Sequence, residues 1–352
     1  MAVVKIYFIT NRNRLPAKDK ALFGPTFNPD GVAALRFGWA RFEVVSDVAT
    51  MKSSHVYPDN VPKDEDKGQP KGSATFLDDL RTEMLAERDT LVFIHGFNVS
   101  FMDALKAGAR LAADIPQDIN LVVFSWPSDG ELVPYMSYYS DREDARVSGP
   151  ALARAYLKLF DFVQQLREEE VQRLRKEGKD PNLHTELCER CIHVLAHSMG
   201  NYVLRNGIQA ICAKDPRKMV RMFDQVIMAA PDEDDDTFER DDKLRNLPTM
   251  ARRITVYHSR NDRALVISDT TKSNPDRLGS EGPRMLDMLP KKVVIVDCSD
   301  VAKTGDALVR HTYYIGCPPV GNDLDAVLRN DPDWPRDRRQ ELRPGRAYRL
   351  LP

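Results

Sequence analysis

The sequence predicts an α/β fold, a mostly parallel, doubly wound sheet with helices on both faces. Three observations point there. Six short runs are continuously apolar and rich in β-branched residues, helical patterns separate them, and five of the runs end in a polar signature. A strand with one wet face alternates apolar and polar residues. A run apolar at every position belongs to a strand covered on both faces, the usual state of a parallel sheet. Regular strand–helix alternation then implies right-handed crossovers.

Taken in order, Val3 to Ile9 and Arg41 to Val45 read as the first strands. Lys52 to Ser73 is expected to be a loop, because Pro58, Pro62, Gly68, Pro70 and Gly72 interrupt any period. Phe76 to Glu87 sets Phe76, Leu77, Leu80, Met84 and Leu85 on one helical face. The buried runs follow at Thr90 to Ile94, Asn120 to Phe124, Cys191 to Leu195, Gln225 to Ala229, Ile254 to Tyr257 and Lys292 to Val296. Helical patterns cover Phe101 to Ala113, Gly149 to Lys176 and Tyr202 to Ala213. The second includes the charged stretch Arg167 to Glu177, expected to project past the sheet with internal ion pairs. Residues 317–352, rich in Pro, Arg and Asp, are expected to run as a surface tail. That leaves 76–316 as the core, with 1–75 adding strands and a loop to the same sheet. No internal repeat is visible.

Composition narrows the function classes. The 352 residues, 42% hydrophobic and 30% charged, suit one large domain with extensions. A net charge of −2 gives no reason to expect a nucleic acid or an anionic membrane as partner. No apolar run approaches the ~20 residues of a membrane helix, so no membrane insertion is expected. Lys5 inside an alternating apolar run makes the N-terminus a strand in place of a signal peptide. Five cysteines are too few and too scattered for a disulfide framework. Cys188 and Cys191 have redox or zinc spacing but lack a second pair, so reduced thiols and a cytoplasmic location are expected. Nothing calls for a metal or cofactor.

In an open parallel sheet, ligands sit outside the carboxyl ends of the strands. The polar signatures all fall there: His95-Gly-Phe-Asn98, Ser125-Trp-Pro-Ser128, Ala196-His-Ser-Met-Gly200, Ala230-Pro-Asp232 and Ser259-Arg-Asn-Asp262. Small-x-Ser-x-Gly between a buried strand and a helix describes a nucleophile elbow, in which close strand–helix approach demands small residues two before and two after the serine. Here Ala196 replaces the more usual glycine. The same five letters also describe an ordinary serine-capped turn; the surrounding order argues for the elbow. With the early Thr10-Asn-Arg12, these motifs resemble the α/β-hydrolase superfamily. They are similar in particular to an uncharacterised, mainly bacterial family of serine hydrolases, and the resemblance spans most of the chain.

The resemblance implies a serine nucleophile, a histidine base and a carboxylate in the chain order Ser, Asp or Glu, His. Ser198 is the candidate nucleophile. Of the seven histidines only His258 and His311 follow it. His258 lies inside a strand, whereas His311 lies beyond the last apolar run, where a loop can return it over the elbow. His197 is expected to support the turn and His193 to sit in the core. Asp262 is the preferred acid and Asp232 the alternative. Asp232 heads the run Asp-Glu-Asp-Asp-Asp236, expected to be a solvated loop because no metal-ligand spacing accompanies it. Met199 and Phe97 are the expected oxyanion-hole N–H donors. Asn98 is expected to lock the oxyanion loop through its side chain, and Trp126 either walls an acyl pocket or belongs to the core. The expected activity is hydrolysis of a small carboxylic ester, with thioesters and amides less favoured. The alternative is a non-catalytic scaffold of the same fold that binds a ligand or protein partner.

Overall fold

The computed structural model describes residues 2–16, 18–58, 72–85, 88–116, 118–128, 134–180, 191–262, 264–265, 276–303, 311–331 and 338–352. An eleven-stranded sheet runs through the molecule in the order β12-β13-β11-β10-β9-β8-β6-β7-β1-β4-β5. Its strands are β1 (Ala2–Thr10), β4 (Arg36–Val45), β5 (Val48–Val56), β6 (Asp89–Ile94), β7 (Ile119–Ser125), β8 (Ile192–His197), β9 (Phe223–Ala229), β10 (Ala251–His258), β11 (Val293–Asp297), β12 (Arg339–Arg343) and β13 (Ala347–Leu350). From β1 to β13 every neighbouring pair is parallel, and antiparallel strands finish both edges. A short hairpin, β2 (Arg12–Arg14) with β3 (Phe23–Phe27), stands apart.

Apolar residues at successive positions are what this sheet requires. In β7, Val122 and Phe124 enter the core on one face, and Leu121 and Val123 enter that on the other. The first face carries helices α1 (Gly72–Leu85), α3 (Pro134–Val147), α4 (Gly149–Lys176) and α5 (Gly200–Lys214), through Phe76, Ala145, Ala151 and Leu204 among others. The opposite face carries α2 (Phe101–Asp114) and a later helix, Pro318–Leu328, through Leu105, Val320, Leu324 and Val327. The far end of α4 holds the expected ion pairs, with Arg173 bridging Glu170 and Glu177.

Two expectations are corrected. The loop expected from Lys52 begins as β5, which pairs with β4 as far as Val56; the rest of it, 59–71, lies outside the described residues. Residues 317–352 are more than a surface tail. Their helix buries Val320 and Leu324, and their hairpin joins the sheet through β11. The polar and charged residues of β12 and β13 mask this, because an edge hairpin keeps much of its surface in water. Cys188 lies outside the described residues, and Cys191 sits just ahead of β8.

Register brings the site together. Thr10 pairs with Ser125, Ile94 with Ala196, His197 with Ala229, and His258 with Asp297. The polar signatures therefore leave the sheet at one level along one edge.

Candidate active site

β8 ends at His197, and α5 begins at Gly200. Only two residues turn the chain, so Ser198 adopts φ = 51°, left-handed backbone that costs a non-glycine residue about 1–2 kcal/mol. Several bonds hold it there. Ser198 N–H donates to Ala229 O at 3.0 Å, Asp232 N–H donates to Ser198 O at 3.2 Å, and the Asn201 amide donates to both Ala196 O and Ser198 O. Gly200 admits no side chain, since a Cβ there would lie 2.5 Å from Ile94 O. Met199 is the N-cap of α5, where the first N–H groups have no partner within the helix.

The loop after β6 crosses directly beside this turn. A Cβ on Gly96 would stand 2.9 Å from Ser198 Cβ. Beyond it, Asn98 takes φ = 56° and points its backbone N–H at Asp141 Oδ2, 3.2 Å away on α3. The Asp141 carboxylate also accepts the Ser128 hydroxyl, while Val99 N–H donates to Ser128 Oγ. The loop is thus locked through the Asn98 backbone, and among the described residues no hydrogen bond of the Asn98 side chain adds to it. Asp141 and Ser128 carry no local signal of this role, as they meet the loop only through tertiary contacts.

Arg12 explains the early Thr-Asn-Arg. Buried where β2 opens, two residues past β1, its guanidinium donates to Val99 O, Ser128 O and Gly24 O, and its Nε to Ser125 Oγ. Thr10 donates to Ser125 O, and Asn11 to Ser148 Oγ. Three strand ends are tied by one cation that donates to four oxygens, an arrangement suited to the planar fork of arginine.

Trp126 is fully buried, stacks on His95 with centroids 5.2 Å apart, and donates its indole N–H to His95 O. It belongs to the core, and the expectation of a pocket wall is set aside. Phe97 is half-buried and packs edge-on against Tyr138.

The candidate acids separate cleanly. His311 Nδ1 lies 2.7 Å from Asp262 Oδ2, and Asp262 Oδ1 accepts Ala264 N–H at 3.1 Å. Asp232 lies elsewhere in the network: Tyr138 donates to it at 2.8 Å, with Arg142 at 3.6 Å and Arg277 at 3.5 Å. The run behind Asp232 is also no solvated loop. Glu233 and Asp235 are buried, Lys243 bridges Asp234 and Asp236, and Arg277 pairs with Asp234. Arg205, Arg277 and Lys243 offset part of the cost of taking these carboxylates out of water.

His197 approaches His311 from below. Its Nε2 is 3.1 Å from His311 O and the two rings are 4.7 Å apart. Burial, then the nearby His311, pushes its pKa well below the usual histidine range. It is therefore neutral and donates Nε2–H to the carbonyl. His258 faces Ser280 O and is also lowered by burial, and His193 is buried facing Asp89. Among the described residues no hydrogen bond joins Ser198 Oγ to His311. His197 neighbours Ser198 in sequence and His311 in space.

The comparisons agree with this architecture. A family profile described as alpha/beta hydrolase of unknown function (DUF900) matches residues 72–172 and 181–329, well over half of the chain. No curated protein matches it in sequence. No helix among the described residues is long and apolar enough to cross a membrane. Strand order, the elbow at Ser198 and the extent of that match lead to one assignment: the chain belongs to this family of α/β-hydrolases.

Proposed function

We propose that the protein is a serine hydrolase that cleaves small carboxylic esters through an acyl-enzyme on Ser198. The observation that carries this reading is the 2.7 Å contact between His311 Nδ1 and Asp262 Oδ2, beside a serine held in left-handed backbone. A serine hydroxyl is a weak nucleophile at neutral pH and needs a base held in the right tautomer. With Nδ1–H given to Asp262, Nε2 of His311 is left as the acceptor.

In the first step His311 Nε2 removes the Ser198 proton as Oγ attacks the ester carbon. The tetrahedral oxyanion is stabilised by the N–H groups of Met199 and Phe97. The imidazolium, balanced by Asp262, returns its proton to the departing alcohol. Water then repeats the sequence on the acyl-enzyme and frees the acid. The Ser198–His311 bond closes as substrate binds, since such bonds are often long in free enzymes.

A fluorophosphonate probe tests the reading. One adduct is expected, on the peptide holding Ala196 to Gly200, together with turnover of activated aryl esters. Ser198→Ala should abolish both. An adduct that survives Ser198→Ala, or the absence of any adduct on the native protein, rejects the proposal.

A further inference from the structure

His95 directly follows β6, is buried, and has no part in the proton transfers above. Its ring is nonetheless tightly specified. Nε2 lies 3.2 Å from the backbone N–H of Trp126 and 3.3 Å from Ser125 Oγ. A backbone N–H can only donate, so Nε2 is an acceptor and the single ring proton sits on Nδ1. Nδ1 is 2.9 Å from the carbonyl oxygen of Gly96 and donates to it. Trp126 holds the ring from two further directions, stacking within 7° of parallel and donating its indole N–H to His95 O. Burial, reinforced by the charge of Arg12, lowers the His95 pKa to about 3, so the ring stays neutral at working pH.

The Gly96 carbonyl shares a peptide plane with the N–H of Phe97. No cis bond occurs among the described residues. In a trans peptide C=O and N–H point in opposite directions. Anchoring the carbonyl on His95 therefore directs Phe97 N–H away from His95. The next peptide is anchored too, by Asn98 N–H on Asp141. Without the Nδ1 bond, only the Gly96–Phe97 plane would be left to rotate, at a glycine that tolerates rotation.

We propose that His95 is a positioning residue of the oxyanion site: its Nδ1–H holds the Gly96 carbonyl and so sets the direction of Phe97 N–H, with Trp126 fixing the tautomer. This rests on the reading of Ser198 as nucleophile and of Phe97 N–H as an oxyanion donor. An amide aimed at the developing charge acts on the transition state more than on bound substrate, so its misdirection lowers kcat and spares KM.

Aryl-ester kinetics of the full chain test this with three variants. His95→Gln lacks a donor at the Nδ1 position and is expected to lose roughly 100-fold in kcat, with KM within about threefold. His95→Asn sets an amide nitrogen where Nδ1 stood and is expected to stay within about tenfold of wild type. Turnover that survives Ser198→Ala overturns the nucleophile reading and this proposal with it. A full Ser198→Ala loss beside a wild-type kcat in His95→Gln, or an effect confined to KM, overturns the positioning role alone. Should the glutamine variant fail to fold, ¹⁵N-imidazole spectra of the unaltered protein decide. A protonated Nδ1 and bare Nε2, unchanged from pH 8 to pH 5, support the proposal. The opposite tautomer overturns it.

Discussion

Two aspartates stand behind adjacent strands, Asp232 after β9 and Asp262 after β10, and both are about 1% exposed. Burial does not distinguish them, but their partners do. Asp232 faces a tyrosine hydroxyl and two guanidiniums, groups whose charge never changes near neutral pH. Asp262 faces an imidazole, the one side chain whose ordinary pKa lets its charge change there. A carboxylate among fixed cations holds structure together, whereas one beside a histidine can follow a proton.

The sharpest way to break this contrast is to remove each charge in turn. Asp262→Asn is expected to lower kcat by ~10⁴, the size measured for the orienting aspartate of serine proteases, with little change in KM. If Asp232→Asn is the crippling change and Asp262→Asn the mild one, the roles are reversed. Asp232→Asn should act mainly on the fold. It leaves Arg142 and Arg277 short of a buried partner, a loss that typically costs about 3–5 kcal/mol. Urea unfolding should show that cost, while kcat of the folded fraction stays within about tenfold of wild type.

The same comparison extends to the histidines. His311 has a carboxylate partner, while His95, His197 and His258 face carbonyl oxygens and are all held neutral by burial. Their folded pKa values lie below the unfolded value of about 6.5. Below that pH the unfolded chain binds protons that the folded chain does not, so stability falls as pH falls. For His95 the loss continues down to about pH 3. Each group contributes up to ~1.4 kcal/mol per pH unit, to be read from urea midpoints between pH 7 and pH 5. A midpoint flat across that range would show that these rings protonate without unfolding.

The smallest effect concerns His197. Its Nε2–H holds the backbone carbonyl of His311, a single neutral hydrogen bond of about 0.5–1.5 kcal/mol. His197→Phe should lower kcat by no more than about tenfold, and His197→Gln should recover most of that. A loss as large as that of Asp262→Asn would place His197 in the proton transfers themselves.

Much of the fold was legible in the sequence because its signals are local. The fully apolar runs became β6 to β11, and the helix expected from Gly149 to Lys176 is α4. The elbow was legible because its small residues answer a steric demand within five positions. What escaped was weakly patterned or distant in sequence. β5 alternates without a strong apolar face, and β12 carries Glu341 and Arg343 exposed on an open edge, while its Arg339 is buried against Asp323. Trp126 seemed equally suited to pocket and core until its indole N–H found His95 O.

By itself, the sequence determined the α/β class, the serine at a strand-to-helix turn and a short list of histidines and aspartates behind it. These follow from period, turn sterics and chain order, which act between near neighbours. Only the tertiary structure decided which aspartate meets His311, that Arg12 ties the ends of β1, β6 and β7, and that His95 and Asp141 pin the loop across from Ser198. Asp262 and His311 are 49 residues apart, and Arg12 and Val99 are 87 apart. Contacts at such separations depend on where each crossover returns the chain and on the register of the strands it joins, and no local pattern of residues encodes either.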